Sequence, residues 1–135
     1  MLIVDTNVVA YLLIEGDFTA AARSLHHHDD DWRSEAFIMV EFVNVLTASI
    51  AARRMDLGLA RRFLAGATSL LQGKVMSIPH EAVLSVAVEY RVTAYDARFL
   101  ALARQLQTRL VTEDAKLRAA APALTQSLAE ALSSG

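Results

Sequence analysis

The sequence predicts an α/β protein in which a short parallel sheet is covered by helices on both faces, in one domain spanning residues 1–135. Three observations point there. Short branched apolar runs alternate with longer stretches whose apolar residues recur at helical spacing. The hydrophobic fraction is high, at 54%, with few glycines and only two prolines, which favours a helix-rich globular chain over a disordered one. The length, 135 residues, fits one compact domain with a real core.

Leu2–Val4 reads as the first strand, short, branched and buried. Asn7–Ile14 reads as a short helix that ends near Gly16, and Asp17 as the cap of a second helix running through about His27. DDDWRS reads as a turn and a short edge strand, with Ser34 capping the next helix. From Glu35 to about Arg53, Phe37, Val40, Val45 and Ile50 stand among Ala, Val and Leu, so this helix is long and largely buried. Asp56 caps another, to about Gln72, with Leu59, Phe63, Ala67 and Leu70 on one face, and Gly73 ends it. Val75–Ile78, followed by Pro79, reads as a strand leaving the core. Glu81–Arg91 returns to helical spacing, and Ala97–Gln107 is amphipathic, with Phe99, Leu102, Ala103 and Leu106 on one stripe. Arg109–Thr112 is a strand and Ala115–Ala120 a short helix stopped by Pro122. Ala123–Thr125 is a last edge strand before a C-terminal helix that frays at SSG.

Composition narrows the function classes. No apolar run is long and charge-free enough to span a membrane, and no basic segment with a cleavage site resembles a signal peptide. Without cysteine there is neither a disulfide nor a thiolate metal site, which agrees with a cytoplasmic location. The formal net charge of −2 argues against a generally basic nucleic-acid surface and leaves room for a local patch.

The informative residues are acids at strand ends and helix starts. Asp5 closes the first strand, and Asp114 follows the Arg109–Thr112 strand in RLVTEDAKL, so two acids fall at one edge of the sheet. In folds of this kind, ligands bind outside the carboxyl ends of the strands. Asp96 stands in VTAYDARFLALA, and Glu41 interrupts the apolar stretch FIMVEFVNVL. A carboxylate on a buried face is costly unless it is paired or bound. Four converging carboxylates raise one another's pKa, and a divalent cation removes that penalty. Oxygen-only ligands suit Mg²⁺ or Mn²⁺. Taken singly, Asp5 serves capping and ligation equally well, with Asn7 an alternative cap, while Asp96 and Asp114 fit helix caps. Glu41 favours ligation over an arginine pair, because no basic residue lies one turn away.

These stretches resemble the PIN domain, and more narrowly the VapC-type toxins of toxin–antitoxin systems, over nearly the whole chain. LIVDTNVVAYLL is similar to the first motif of that family, Trp32 and then Glu41 with Asn44, Val45 and Leu46 to the second, TAYDARFLALA to the third and LVTEDAKL to the fourth. The resemblance implies a three-layer α/β/α fold with a short central parallel sheet of about four to five strands. It carries Asp5, Glu41, Asp96 and Asp114 over as catalytic, metal-binding acids, and Thr6, Asn7, Asn44 and Thr112 as supporting polar groups. It implies an endoribonuclease that uses Mg²⁺ or Mn²⁺ and a metal-activated water, forms a homodimer and is inhibited by a VapB-like antitoxin. The chain departs from the family at Ser34, where a proline is frequent, and in the additional acid Glu113, an alternative to Asp114. Thr112 and Asp114 would project alike if the strand continued, which favours Asp114.

Other features have plainer readings. The run His26–Asp31 reads as a solvated turn, since consecutive residues cannot all converge on one ion. Arg53, Arg54, Arg61 and Arg62 straddle a helix–helix turn and serve equally as a solvated face or as contacts to RNA phosphates or antitoxin acids. Trp32 reads as a core anchor, and Thr6 lacks a neighbouring base that would make it a nucleophile. Two other classes compete with the nuclease. One is a catalytically silent PIN-like domain that binds RNA or protein, against which the complete acid set argues. The other is a phospho-acceptor domain, which wants a lysine at the pocket, whereas Lys74 and Lys116 are the only lysines and neither ends a strand beside an acid pair.

Overall fold

A computed structural model of the chain describes residues 1–134. The first apolar run, Leu2–Val4, forms β1, with Ile3 and Val4 wholly buried, as a strand covered on both faces requires. It is followed by α1 (Thr6–Leu13), α2 (Thr19–His28), β2 (Trp32–Glu35), α3 (Ile38–Ala51) and α4 (Leu57–Leu71). Then come β3 (Val75–Met76), α5 (His80–Tyr90), α6 (Ala94–Gln105), β4 (Leu110–Val111) and α7 (Ala115–Ala120). A 3-10 turn at Pro122–Leu124, β5 (Thr125–Gln126) and α8 (Leu128–Ser133) complete the order.

The five strands pair in the order β3-β2-β1-β4-β5, all parallel. The chain therefore winds outwards from β1 to β3, returns past its starting strand, and winds outwards again to β5. Ile3 pairs with Arg33 on one side and Leu110 on the other. The helix α6 lies across β1, β2 and β4, with α5 packed on it. The helices α1, α2, α3 and α4 pack on one another, and α4 meets β2. Right-handed crossovers put these two groups on opposite faces of the sheet.

Several boundaries differ from the sequence expectation, each for a local reason. The strand β2 is interior, between β1 and β3, rather than at an edge. Its Ser34 is no helix cap: buried, it donates its hydroxyl to the carbonyl of Val4 at 2.7 Å, bracing β1 against β2. Glu35 ends this strand, so the long helix begins at Ile38 and closes at Ala51. Asp17 does not cap α2; Thr19 holds that turn by accepting from the amide of Gly16 at 2.9 Å and donating to the carbonyl of Ile14 at 3.1 Å. The helix α6 begins three residues early, at Ala94, because Thr93 caps it. The 3-10 turn moves the last strand to Thr125–Gln126, and β3 stops at Met76. In α8 a reciprocal Ser127–Glu130 capping box satisfies the first amides, and Gly135, the end of the SSG segment, lies outside the described residues. His26–His28 form the last turn of α2 rather than a free turn, and Asp29 meets the N-terminal ammonium at 2.8 Å.

Ser34→Ala should destabilise the protein by about 1–2 kcal/mol, since the Val4 carbonyl then lies buried without its donor. Urea denaturation measures the loss, and a change near zero would show that the bond adds nothing.

Candidate active site

The sheet order creates a switch point between β1 and β4, where the chain departs in opposite directions. Asp5 leaves β1 on one side of that crevice, its amide bonded to the carbonyl of Val111 at 3.3 Å. It caps α1, accepting from the amide of Val8 at 3.0 Å. On the other side β4 stops at Val111, and Thr112 turns the chain by accepting from the amide of Asp114 at 3.1 Å. Strand continuation is thus not what relates Thr112 to Asp114. Asp114 caps α7, accepting from the amides of Lys116 and Leu117. Capping and cavity lining therefore coexist in both acids.

Two more acids arrive from neighbouring helices. Glu41, in the first turn of α3, accepts from the hydroxyl of Thr6 at 2.7 Å rather than pairing with an arginine. Asp96, in the first turn of α6, gives its amide to Thr93, whose side chain also interacts with the Asp96 carboxylate. Asp5, Glu41, Asp96 and Asp114 line one cavity of about 680 Å³, together with Thr6, Asn7 and Asn44. Thr112 stands behind them, fully buried, and its side chain bonds the Asp5 carboxylate. Arg53, Arg54, Arg61 and Arg62 are exposed around the α3–α4 turn and the start of α4, and none lines the cavity.

The electrostatics follow from this crowding. Burial raises the pKa of Asp5 to about 6, against the lowering effect of its bonds from Thr112 and Val8, and the charges of Glu41 and Asp96 push it the same way. Burial also raises Glu41, with Asp96 and Glu35 adding to it, and raises Asp96, with Asp114 adding to it. The Tyr11 phenol is raised first by burial and then by the field of Asp5, Glu113 and Asp114.

Glu113 is placed differently. Its carboxylate pairs with Arg118 at 3.2 Å and accepts from the amide of Leu128 at 3.2 Å, tying β4 to α8. It does not line the cavity.

The donor set suits a hard divalent cation: carboxylate and neutral oxygens only, with Asp5, Glu41 and Asp96 held at raised pKa by burial and neighbouring charge. As the side chains lie, no group of three or more acids or histidines among the described residues has metal-holding geometry. The structure thus presents an acidic cavity of suitable chemistry rather than a closed coordination sphere.

The sequence profile of the PIN domain matches residues 2–122. The chain belongs to the PIN domain family. Among solved structures, the PIN fold here is similar to PAE2754 from Pyrobaculum aerophilum, with a TM-score of 0.78 and 26% identity, over 98% of this chain and 94% of that one. No curated protein sequence matches the chain. PIN domains are typically metal-dependent nucleases, and the three-layer parallel architecture agrees with that family.

Sequence reasoning missed the apolar side of this PIN cavity. Phe37, Val40, Val43 and Tyr95 line it together with the acids. Tyr95 could have been found, since it directly precedes Asp96 at a helix start where an aromatic residue has no core to enter.

Proposed function

We propose that this PIN domain is an endoribonuclease, dependent on Mg²⁺ or Mn²⁺, that hydrolyses RNA phosphodiester bonds as the toxin of a VapBC-like toxin–antitoxin pair. The observation that carries the catalytic part is the convergence of Asp5, Glu41, Asp96 and Asp114, from four separate segments, on one cavity at the switch point. Asp5, Glu41, Asp96 and Asp114 are the residues that would hold the cation. When bound, it supplies positive charge that lowers the pKa of water and offsets charge on the phosphate.

The remaining chemistry belongs to the chain. Thr6 orients Glu41, and Thr112 orients Asp5. The position of Asn7 and Asn44 on the cavity wall lets their amides bond phosphate or sugar oxygens. The exposed Arg53, Arg54, Arg61 and Arg62 offer charge to RNA phosphates or to acidic antitoxin residues. The exposed Val40 and Val43 beside the acids supply apolar contact for an antitoxin segment. A homodimer and cytoplasmic location complete the reading.

The test is incubation of total cellular RNA with the purified chain in Mg²⁺, in Mn²⁺ and in EDTA. Discrete cleavage with either ion and none in EDTA is expected. Equal cleavage in EDTA would remove the metal role; RNA binding without cleavage under every condition would leave a silent binding domain.

A further inference from the structure

The acids of the cavity raise a difficulty for any RNA that enters it. The phosphate backbone is negative, and no lysine or arginine lines the cavity. Apart from the cation that the acids would hold, the chain thus offers no positive side chain to the nucleotide nearest them. Contact with the base, which is uncharged and has an apolar face, can hold it there.

Such a contact surface is present and braced by its neighbours. Tyr95 is 59% exposed, lines the cavity, and is the chain neighbour of Asp96. Its ring stacks on Phe37, with centroids 5.4 Å apart and planes 19° apart. The Arg98 guanidinium lies over the Phe37 ring, 5.2 Å from its centroid. Arg98 is itself held by Glu35 at 3.4 Å, and Glu35 is only 1% exposed. The same carboxylate accepts from the Phe37 amide at 2.8 Å. Phe37, on which Tyr95 stacks, is thus also in contact with Arg98, and both Phe37 and Arg98 are tied to one buried acid. Thr93 fixes the backbone on the other side by accepting the Asp96 amide. A ring already ordered in this way receives a base without a further ordering cost.

We propose that Tyr95, backed by Phe37, is the stacking platform for an unpaired base next to the phosphate that is cut. This rests on the nuclease reading above and adds to it a residue that selects the substrate. A base inside a duplex has both faces covered by its neighbours and cannot lie on the ring. A single strand, a loop or a bulge can present one. Phe37 and Arg98 are positioning residues, and Tyr95 is the contact.

The test reads binding rather than turnover. Asp5→Asn protein in Mg²⁺ is titrated into a fluorescent, mixed-sequence single-stranded oligoribonucleotide, and wild-type cleavage of the same strand is followed in parallel. Adding Tyr95→Ala should weaken binding about ten-fold, and Tyr95→Phe, which keeps the ring, should restore it. An abasic nucleotide is then moved along the strand. At one position it should weaken the parent protein by the same factor and add nothing to the loss in Tyr95→Ala. Unchanged binding on Tyr95→Ala, or losses that multiply at every abasic position, would overturn the platform while wild-type cleavage still stood. A wild type that neither binds nor cuts the strand would overturn the nuclease reading, and the platform with it.

Discussion

Asp5→Asn is expected to lower RNA cleavage at least about a hundred-fold while leaving the fold intact. Asparagine caps a helix as well as aspartate does, so the bond from the Val8 amide survives. What disappears is the negative charge at the switch point. The same charge makes a prediction about stability. The folded pKa of Asp5, about 6, lies above its ordinary 3.8, so the folded state holds this proton more tightly than the unfolded chain. The protonated form therefore favours folding below about pH 4, and that advantage is lost as pH rises through about 6. Wild type in EDTA should lose about 2 kcal/mol across this window from Asp5 alone, after allowance for its partial exposure. Glu41 and Asp96 are raised too and steepen the same slope. Asp5→Asn should flatten it. Mg²⁺ or Mn²⁺ should raise the melting temperature of wild type more at pH 7.5 than at pH 5, and should do so weakly in the variant. Equal pH slopes in the two proteins, or full nuclease activity in the variant, would count against Asp5 as the charge at the centre of the cavity.

The second large effect lies beneath the cavity. Arg98→Met should destabilise the protein by about 2–4 kcal/mol, because it leaves the Glu35 carboxylate buried without its cation. For a chain of this size that is a fall in melting temperature on the order of 10 °C. Glu35 would keep the amides of Phe37 and Ile78, which limits the loss. Glu35→Gln placed in the Arg98→Met background should recover part of it, since an amide needs no counter-charge there. Denaturant unfolding of the two single variants and the double variant gives the coupling. Strict additivity of the two losses would mean that the pair does not act as a unit.

The sequence reading succeeded where the signal was local and failed where the partner was distant. β1, β4 and α7 stand where their local signals put them, and Asp56 caps α4 as expected, although the buried line of α4 runs through Ala60, Ala67 and Leu71 and leaves Leu59 exposed. Asp5 was legible for the same reason, since a charge directly after a buried strand stands out, while Asp114, three residues past β4, was singled out over Glu113 by its motif. β2 was misread because its acidic flank looks like solvent, and its central position depends on pairing with both β1 and β3. Glu35 was assigned to a helix start because its partner, Arg98, lies 63 residues further on, beyond any periodicity. Asp96 looked like a cap because Thr93, the real one, sits three residues earlier in the same short turn. The Tyr95–Phe37 stack joins the first turns of two helices separated by α4, β3 and α5, so neither segment alone announces it.

The placement of β1 in the middle of the sheet has a consequence for synthesis. Ile3 pairs with Leu110, so one flank of the central strand stays open until Leu110 has been translated. Asp5 emerges early and Asp114 late, and the cavity they share does not exist in between. At roughly 5–20 residues per second, a nascent chain spends seconds on the ribosome without its site. Any chemistry in that cavity waits until Asp114 has emerged and β4 has paired with β1.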